Sequence, residues 1–194
     1  MRLLVSLCLV AACVKPLPPA QPSQHSEALP APQRLAPGAP LPALRVPADL
    51  RTLVGRRIKR DAFAETLAWA RELGSHIDVP NGRGLVTWAA ATDHFASETR
   101  PGDLLVFDRT EGAEADLVAI AVARDARGVT EFVYLAGGVV RRGFLDPVRR
   151  SLRRDSAGAV VNTFMRAGNR WPPSGTHYLA GELLAHVVRL EHHE

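Results

Sequence analysis

The sequence predicts an α+β domain in which N-terminal helices pack on an antiparallel sheet. Apolar residues recur at helical spacing up to about residue 92, and short apolar runs separated by turn residues follow from residue 103. Helices that precede a series of strands, without regular alternation between the two, are typical of this class. A content of 46% hydrophobic and 23% charged residues fits one folded domain and argues against a disordered chain or a polytopic membrane protein.

Three helices are predicted in the first half of the domain, each beginning at a polar residue that can cap its first turn. Asp49 is expected to cap a short helix that closes near Gly55. Asp61 is expected to cap a second helix, which ends near Gly74, and Asn81 begins a third. The apolar stripes that support these helices consist of Leu50, Leu53 and Val54, of Phe63, Leu67 and Ala70, and of Leu85, Trp88 and Ala89.

The second half of the domain has the pattern of several strands followed by a helix. The residues 125–128 have the composition of a tight turn and join two of the strands into a hairpin over 117–135. Four apolar residues recur at helical spacing within 176–190 and predict a C-terminal helix with one apolar face, namely Leu179, Leu183, Val187 and Leu190. The predicted strands cover 103–108, 117–123, 129–135, a short piece over 139–141 after the turn at Gly137 and Gly138, and 159–164.

The first thirteen residues are typical of an export signal. Arg2 precedes an apolar run that ends in two alanines and is too short to span a bilayer. The string Val10–Cys13 resembles the lipobox of bacterial lipoproteins, which implies that residues 1–12 are removed as a signal peptide and that Cys13 carries lipid such as palmitate. Val14 after the cysteine implies, by the same resemblance, the periplasmic face of the outer membrane. An ordinary cleaved signal and a buried first strand are the alternatives.

The rest of the chain is expected to form a lipid-anchored tether over 13–47, one domain over 48–190 and a tail over 191–194. Ten of the fifteen prolines lie between residues 16 and 47, a composition that favours extended conformations and cannot form a core. A proline-rich ligand for another protein is the alternative interpretation of the tether. Both cysteines, Cys8 and Cys13, precede the domain, which excludes disulfides and thiol nucleophiles within it.

The charge balance of the chain is weakly basic. Its 24 Lys and Arg residues and 20 Asp and Glu residues give a formal net charge of +4, which does not indicate nucleic acid as a partner. Basic residues cluster at 56–60 and again in an arginine-rich segment. Each cluster is either a solvated face with local ion pairs or a binding site for an anionic partner such as a lipid head group or a cell-wall polymer. The arginine-rich segment contains Arg141, Arg142, Arg149, Arg150, Arg153 and Arg154.

A resemblance to a hydrolase family rests on residues 101–107. The string Pro-Gly-Asp-Leu-Leu-Val-Phe at these positions resembles a signature of the NlpC-type and CHAP-type cell-wall peptidases, papain-like cysteine hydrolases that cut peptide bonds in peptidoglycan. In that family a helix precedes the string and a strand follows it, as predicted here for 81–86 and 116–120. The resemblance covers residues 60–145 and implies a papain-like domain.

The same resemblance implies that the catalytic groups of the family are missing from this chain. The family's nucleophilic cysteine, at the start of the helix, aligns with Gly82, which has no side chain. Its histidine aligns with Leu117, or with Asp116 in the neighbouring register, and its third polar residue aligns near Tyr134. We therefore expect no catalytic residue at these positions. The sequence has no His-Glu-x-x-His or similar ligand set, and we expect neither a metal nor another cofactor.

The sequence thus predicts an exported lipoprotein whose NlpC-like domain binds or scaffolds at the cell wall without cleaving it. Its expected partners are the membrane, through the lipid anchor, and peptidoglycan or a cell-envelope protein. One alternative is an active peptidoglycan amidase or endopeptidase that uses Asp116 together with His177 or His186. The other is an assembly lipoprotein that acts through the arginine-rich segment.

Overall fold

The computed structural model describes residues 45–108, 110, 115–165 and 177–190, so the predicted signal peptide, Cys13, the tail and nearly all of the tether lie outside the described residues. A 3₁₀ helix over Pro47–Leu53 comes first. No helix in the described ranges is long and apolar enough to cross a membrane. The helices are α1 (Ala62–Glu72), α2 (Gly82–Thr92) and α3 (Ala180–Leu183), and the strands are β1 (Leu104–Phe107), β2 (Leu117–Arg124), β3 (Thr130–Ala136), β4 (Val139–Leu145) and β5 (Leu184–Val188).

The five strands form one antiparallel sheet in the order β4-β3-β2-β1-β5. On β1, Leu104 pairs with Ile120 of β2 and with Val188 of β5. The predicted hairpin is confirmed, because β2 and β3 are paired and the turn between them contains Gly128 at a φ of 85°. A two-glycine turn joins β3 to β4, which runs to Leu145 and is longer than expected. The helices and this sheet confirm the α+β class.

The sheet separates two apolar cores. Leu104 and Val106 of β1 lie in the core under the 3₁₀ helix, α1 and α2, which we call the helix-side core. Leu105 and Phe107 alternate with them and lie in the second core, together with Met165 and residues of α3. We call this second one the loop-side core. Because each face of the sheet is covered, every residue of β1 is buried, which explains why the strand is apolar at every position.

The predicted caps of α1 and α2 are confirmed. Asp61 accepts a hydrogen bond from the N–H of Ala64, and Asn81 accepts one from the N–H of Gly84, each at 2.9 Å. These bonds satisfy N–H groups that have no partner inside the first helical turn.

The prediction that Asp49 begins a helix is wrong. The 3₁₀ helix begins at Pro47, whose fixed φ and missing N–H suit the first helical position. Asp49 lies inside this helix and accepts hydrogen bonds from the N–H groups of Arg45 and Val46, at 2.9 and 3.1 Å.

The predicted C-terminal helix over 176–190 is also wrong. Only α3, a single turn, is helical there, and the chain then continues as β5 along the free edge of β1. Val187 lies in the loop-side core and Val188 in the helix-side core, so consecutive residues of β5 bury side chains on opposite faces of the sheet. Pairing with β5 satisfies backbone groups on the edge of β1, which a helix at this place would leave without partners. Tertiary context thereby overrides the helical spacing.

Residues 159–164 do not form the predicted strand. They make two isolated bridges, in which Val160 pairs with Arg154 and Phe164 pairs with Leu179. The segment is held instead by backbone hydrogen bonds, such as the one from the N–H of Thr163 to the carbonyl of Phe144 at 3.0 Å, and by the Asn162 side chain, which donates two hydrogen bonds and accepts two.

Candidate functional site

The candidate site lies at the edge of the sheet where β2 begins. Because neighbouring strands are antiparallel, β1 and β3 end at this edge and β4 begins there. The first residue of α2, Gly82, lies against the backbone that leads into β2. A Cβ placed on Gly82 would be 2.1 Å from the carbonyl oxygen of Ala115, far inside the 3.0 Å below which something must shift. Only glycine therefore fits at position 82. We call the part of the sheet edge around this contact the Gly82 edge.

The structure therefore brings the start of α2 next to the start of β2, which are the two places where the resemblance puts the family's cysteine and histidine. Leu117, however, lies in the loop-side core, whereas Leu85 of α2 lies in the helix-side core. The side chain of Leu117 consequently faces away from α2. Asp116, the alternative alignment position, immediately precedes β2.

Tyr134 lies on the same side as Leu117. Its ring is buried in the loop-side core and packs at 5.6 Å from the ring of Phe132, measured between centroids. Burial raises the pKa of the Tyr134 phenol, so this side chain is neutral at physiological pH. On the helix side of β3, the neighbouring positions are the apolar Val133 and Leu135.

Two carboxylates near Gly82 hold Thr110 and Ala115, described residues that precede β2. Asp108 accepts a hydrogen bond from the N–H of Ala115 at 2.6 Å. Asp116 Oδ1 accepts hydrogen bonds from the N–H and the hydroxyl of Thr110, at 3.0 and 2.8 Å. These contacts fix the carbonyl of Ala115 against Gly82. Ala115 itself has a φ of 48°, a left-handed conformation that an alanine in the sequence does not predict.

The histidines proposed for an alternative hydrolase have other neighbours. His177 Nδ1 lies 3.3 Å from Glu182 Oε1, and the ring of His186 stacks on Phe95 with 4.8 Å between centroids. His186 belongs to β5 and not to a helix. Within the described part of the chain, no group of three or more His, Cys, Asp or Glu side chains is arranged to hold a metal ion.

The residues of the Pro-Gly-Asp-Leu string have structural roles that explain their types. Gly102 has a φ of 96°, which favours glycine. The buried Asp103 accepts a hydrogen bond from the N–H of Arg100 at 2.7 Å and closes the turn before β1. Its two oxygens also accept hydrogen bonds from Arg189, at 3.2 and 3.0 Å, which ties the end of β5 to the start of β1.

The arginine-rich segment is largely engaged within the protein. Arg142 lies 2.7 Å from Glu131, and Arg149 lies 2.7 Å from Asp146. Such partners give these residues a structural role that needs no external anion, and anion binding by the segment stays a prediction. The other four contact protein groups as follows: Arg141 the carbonyl of Ala136, Arg150 those of Gly181 and Leu184, Arg154 that of Gly158, and Arg153 the ring of Phe164.

Asn162 joins this segment to α3. Its side-chain oxygen accepts hydrogen bonds from the N–H groups of Asp146 and Gly181, both at 2.9 Å. Its amide group donates to the carbonyls of Arg149 and Leu152, at 2.9 and 2.8 Å. The side chain is fully buried and uses all of its hydrogen-bonding capacity. The sequence pattern around Asn162 does not mark it as a structural residue.

We expect Asp146 to make folding more favourable at neutral pH than in acid. Burial alone would raise the pKa of its carboxyl, but hydrogen bonds from Arg149 and Val148 outweigh burial and lower the pKa. A carboxyl with a lowered folded-state pKa stabilises the fold above its unfolded value of about 3.9, and this stabilisation is lost as the pH falls through the folded-state pKa.

Urea unfolding of Asp146→Asn at several pH values tests this expectation. The difference in unfolding free energy between the natural protein and the variant should be largest near pH 7 and shrink below about pH 4. The exposed Asp78 serves as the control, since its only described ion pair is a 3.9 Å contact with Arg71. A pH-independent difference for Asp146→Asn would contradict the assignment.

Comparison of the chain with protein-family models, with curated proteins and with solved structures gives no significant match. The resemblance to NlpC-type and CHAP-type domains therefore stays a prediction from the sequence.

Proposed function

We propose that this chain is an exported lipoprotein whose domain binds peptidoglycan at the cell wall without cleaving it. In this proposal the domain is a papain-like, NlpC-type fold that lacks the catalytic groups of its family. The chain is anchored through lipid on Cys13, on the periplasmic face of the outer membrane, and residues 13–47 hold the domain away from the membrane surface.

The contact between Gly82 and Ala115 carries the proposal. In papain-like hydrolases the thiolate at the start of a helix must reach the substrate carbonyl, with a histidine beside it. Here the corresponding helix start lies at the start of β2, so the expected neighbours in space are present. Gly82 nevertheless has no side chain, and the Ala115 carbonyl occupies the place where one would begin. This arrangement supports a family-like framework in which the position of the nucleophile is used for backbone packing.

The surroundings of Gly82 also favour binding over cysteine chemistry. Residues 14–194 contain no cysteine that could act as a nucleophile. The side chains of Leu117 and Tyr134 lie on the opposite face of the sheet, and the Asp116 carboxylate accepts two hydrogen bonds from Thr110. A domain without reactive groups can still bind a ligand through backbone and apolar contacts.

Co-sedimentation of the purified full chain with insoluble peptidoglycan tests the proposed binding. We expect the protein to sediment with peptidoglycan and to stay in the supernatant with chitin, a related polysaccharide that has no peptide stems. The Cys13→Ala variant, which cannot be lipidated, controls for sedimentation caused by attached lipid and should bind equally well. Equal sedimentation with chitin, or none with either polymer, would contradict the proposal and shift attention to a protein partner.

A further inference from the structure

We propose that a basic cavity between residues 57–61 and the β3–β4 turn binds a compact ligand that carries a carboxylate or phosphate group. The cavity has a volume of about 470 Å³, within the range of small-molecule sites. Its walls are formed by Arg57, Ile58, Lys59 and Arg60 on one side and by the turn at Gly137 and Gly138 on the other. This inference goes beyond the proposed cell-wall function and does not depend on it.

The walls of the cavity are held in place by backbone hydrogen bonds. The N–H of Ile58 donates to the carbonyl of Gly138 at 2.9 Å, and Arg57 forms an antiparallel bridge with Val139. The two glycines have φ values of 59° and 70°, which fix a tight turn and expose backbone without side chains. A ligand can therefore approach the main chain closely at this point, and the cationic residues extend from a paired segment instead of a free loop.

The positive charge of the cavity is only partly balanced by Asp61, the one acidic residue in its described lining. Arg57 and Lys59 are exposed and form no ion pair with any residue in the described ranges. Asp61 lines the cavity, but one of its oxygens caps α1, and Arg60 contacts the buried Glu65 at 3.3 Å. Arg57 and Lys59 thus face the cavity without a carboxylate partner among the described residues, whereas Arg142 and Arg149 of the arginine-rich segment each have one.

The apolar part of the wall indicates what kind of molecule carries the anionic group. Ile58 and Val139 line the cavity beside the cations, so an organic body can pack there while its anion pairs with Arg57 and Lys59. An acidic sugar or a sugar phosphate has this combination of a compact body and one strong negative charge. The cavity lies at the same sheet edge as Gly82, because β3 ends and β4 begins there.

Titration of the full chain with three small probes, followed by the backbone amide signals of Gly137 and Gly138 in NMR spectra, tests the site. N-acetylmuramic acid carries a carboxylate, glucose 6-phosphate carries a phosphate, and N-acetylglucosamine is the neutral counterpart of the first. We expect at least one anionic probe to shift both glycine signals with at least tenfold higher affinity than the neutral sugar. The probe that binds more tightly identifies the anion. Equal response to all three, or no response, would overturn the inference.

Charge reversal at the cavity provides the second readout. Arg57→Glu combined with Lys59→Glu should weaken binding of the anionic probe at least tenfold, and the corresponding double change to Gln should weaken it less. Arg100→Glu combined with Arg124→Glu alters the net charge equally at two exposed arginines near the opposite end of β2 and should change the affinity less than twofold. Equal weakening by the two charge-reversal pairs would show a general charge effect and overturn the site.

Discussion

Replacing Asn162 with alanine is expected to lower the free energy of unfolding by about 3 kcal/mol or more. The change removes four hydrogen bonds from a side chain that has no exposed surface. The N–H groups of Asp146 and Gly181, which donate to Asn162, would then be buried without acceptors. A buried polar group that loses its partner costs more than the net gain from an ordinary hydrogen bond, and here several lose theirs together.

Urea denaturation monitored by circular dichroism measures this loss. Asn81→Ala is the matched control, because it also removes an asparagine but breaks a single capping bond and should cost about 1 kcal/mol. Asn162→Asp keeps the acceptor atoms and removes the donors, so it should also destabilise the domain by placing a carboxylate against two carbonyl oxygens. If Asn162→Ala cost no more than the Asn81 control, the assignment of Asn162 as the link between the arginine-rich segment and α3 would be incorrect.

Replacing Gly82 with alanine is the second change for which we expect a large effect, a loss of about 2–3 kcal/mol of stability. The new methyl group would lie 2.1 Å from the backbone oxygen of Ala115, and a backbone atom cannot move aside as a flexible side chain can. Either α2 or the backbone of Ala115, whose N–H donates a hydrogen bond to Asp108, would have to shift. Gly82→Cys should be destabilised at least as much and should gain no hydrolase activity, because its sulfur would have no room to extend from the same position.

Gly84→Ala is the control on the same helix. Alanine is favoured over glycine in a helix by about 1 kcal/mol, and the nearest atom to the added Cβ, at 3.0 Å, belongs to the side chain of Pro80. We therefore expect a small change in stability at Gly84, of either sign, against a clear loss at Gly82. Equal behaviour of the two alanine variants in thermal and urea unfolding would show that the close approach at the Gly82 edge is not a constraint.

The parts of the fold that depend on local signals were predictable from the sequence. Asp61 and Asn81 are capping residues whose side chains accept the bonds that their positions suggest. The apolar runs over β1, β2 and β3 and the glycine turns between strands are likewise local features, since turn residues and strand alternation act over a few neighbours.

The C-terminal part was not predictable in the same way. Leu183 and Val187 are four residues apart, a spacing that would place both on one face of a helix. The same spacing also fits the structure observed, in which Leu183 ends the single turn α3 and Val187 lies in the strand β5. The choice depends on β1, which lies about eighty residues earlier in the chain and offers a free edge for pairing. Single-sequence patterns do not contain this information, because it arises only when distant segments meet.

The candidate site was predictable in its residue types but not in its geometry. The missing side chain at Gly82 and the absence of cysteine are visible in the sequence. Which face of the sheet Leu117 occupies is not, because alternation shows only that Leu117 and Val118 point in opposite directions. The left-handed Ala115 and its contact with Gly82 also require the assembled structure, since alanine gives no signal of positive φ.

The masses of peptidoglycan fragments after prolonged incubation with the purified full chain test the central claim most directly. We expect soluble muropeptides to keep their masses while the protein binds the insoluble polymer. New products with hydrolysed bonds, formed by the natural protein and lost in Asp116→Asn, would contradict it and establish a hydrolase with a different set of catalytic groups.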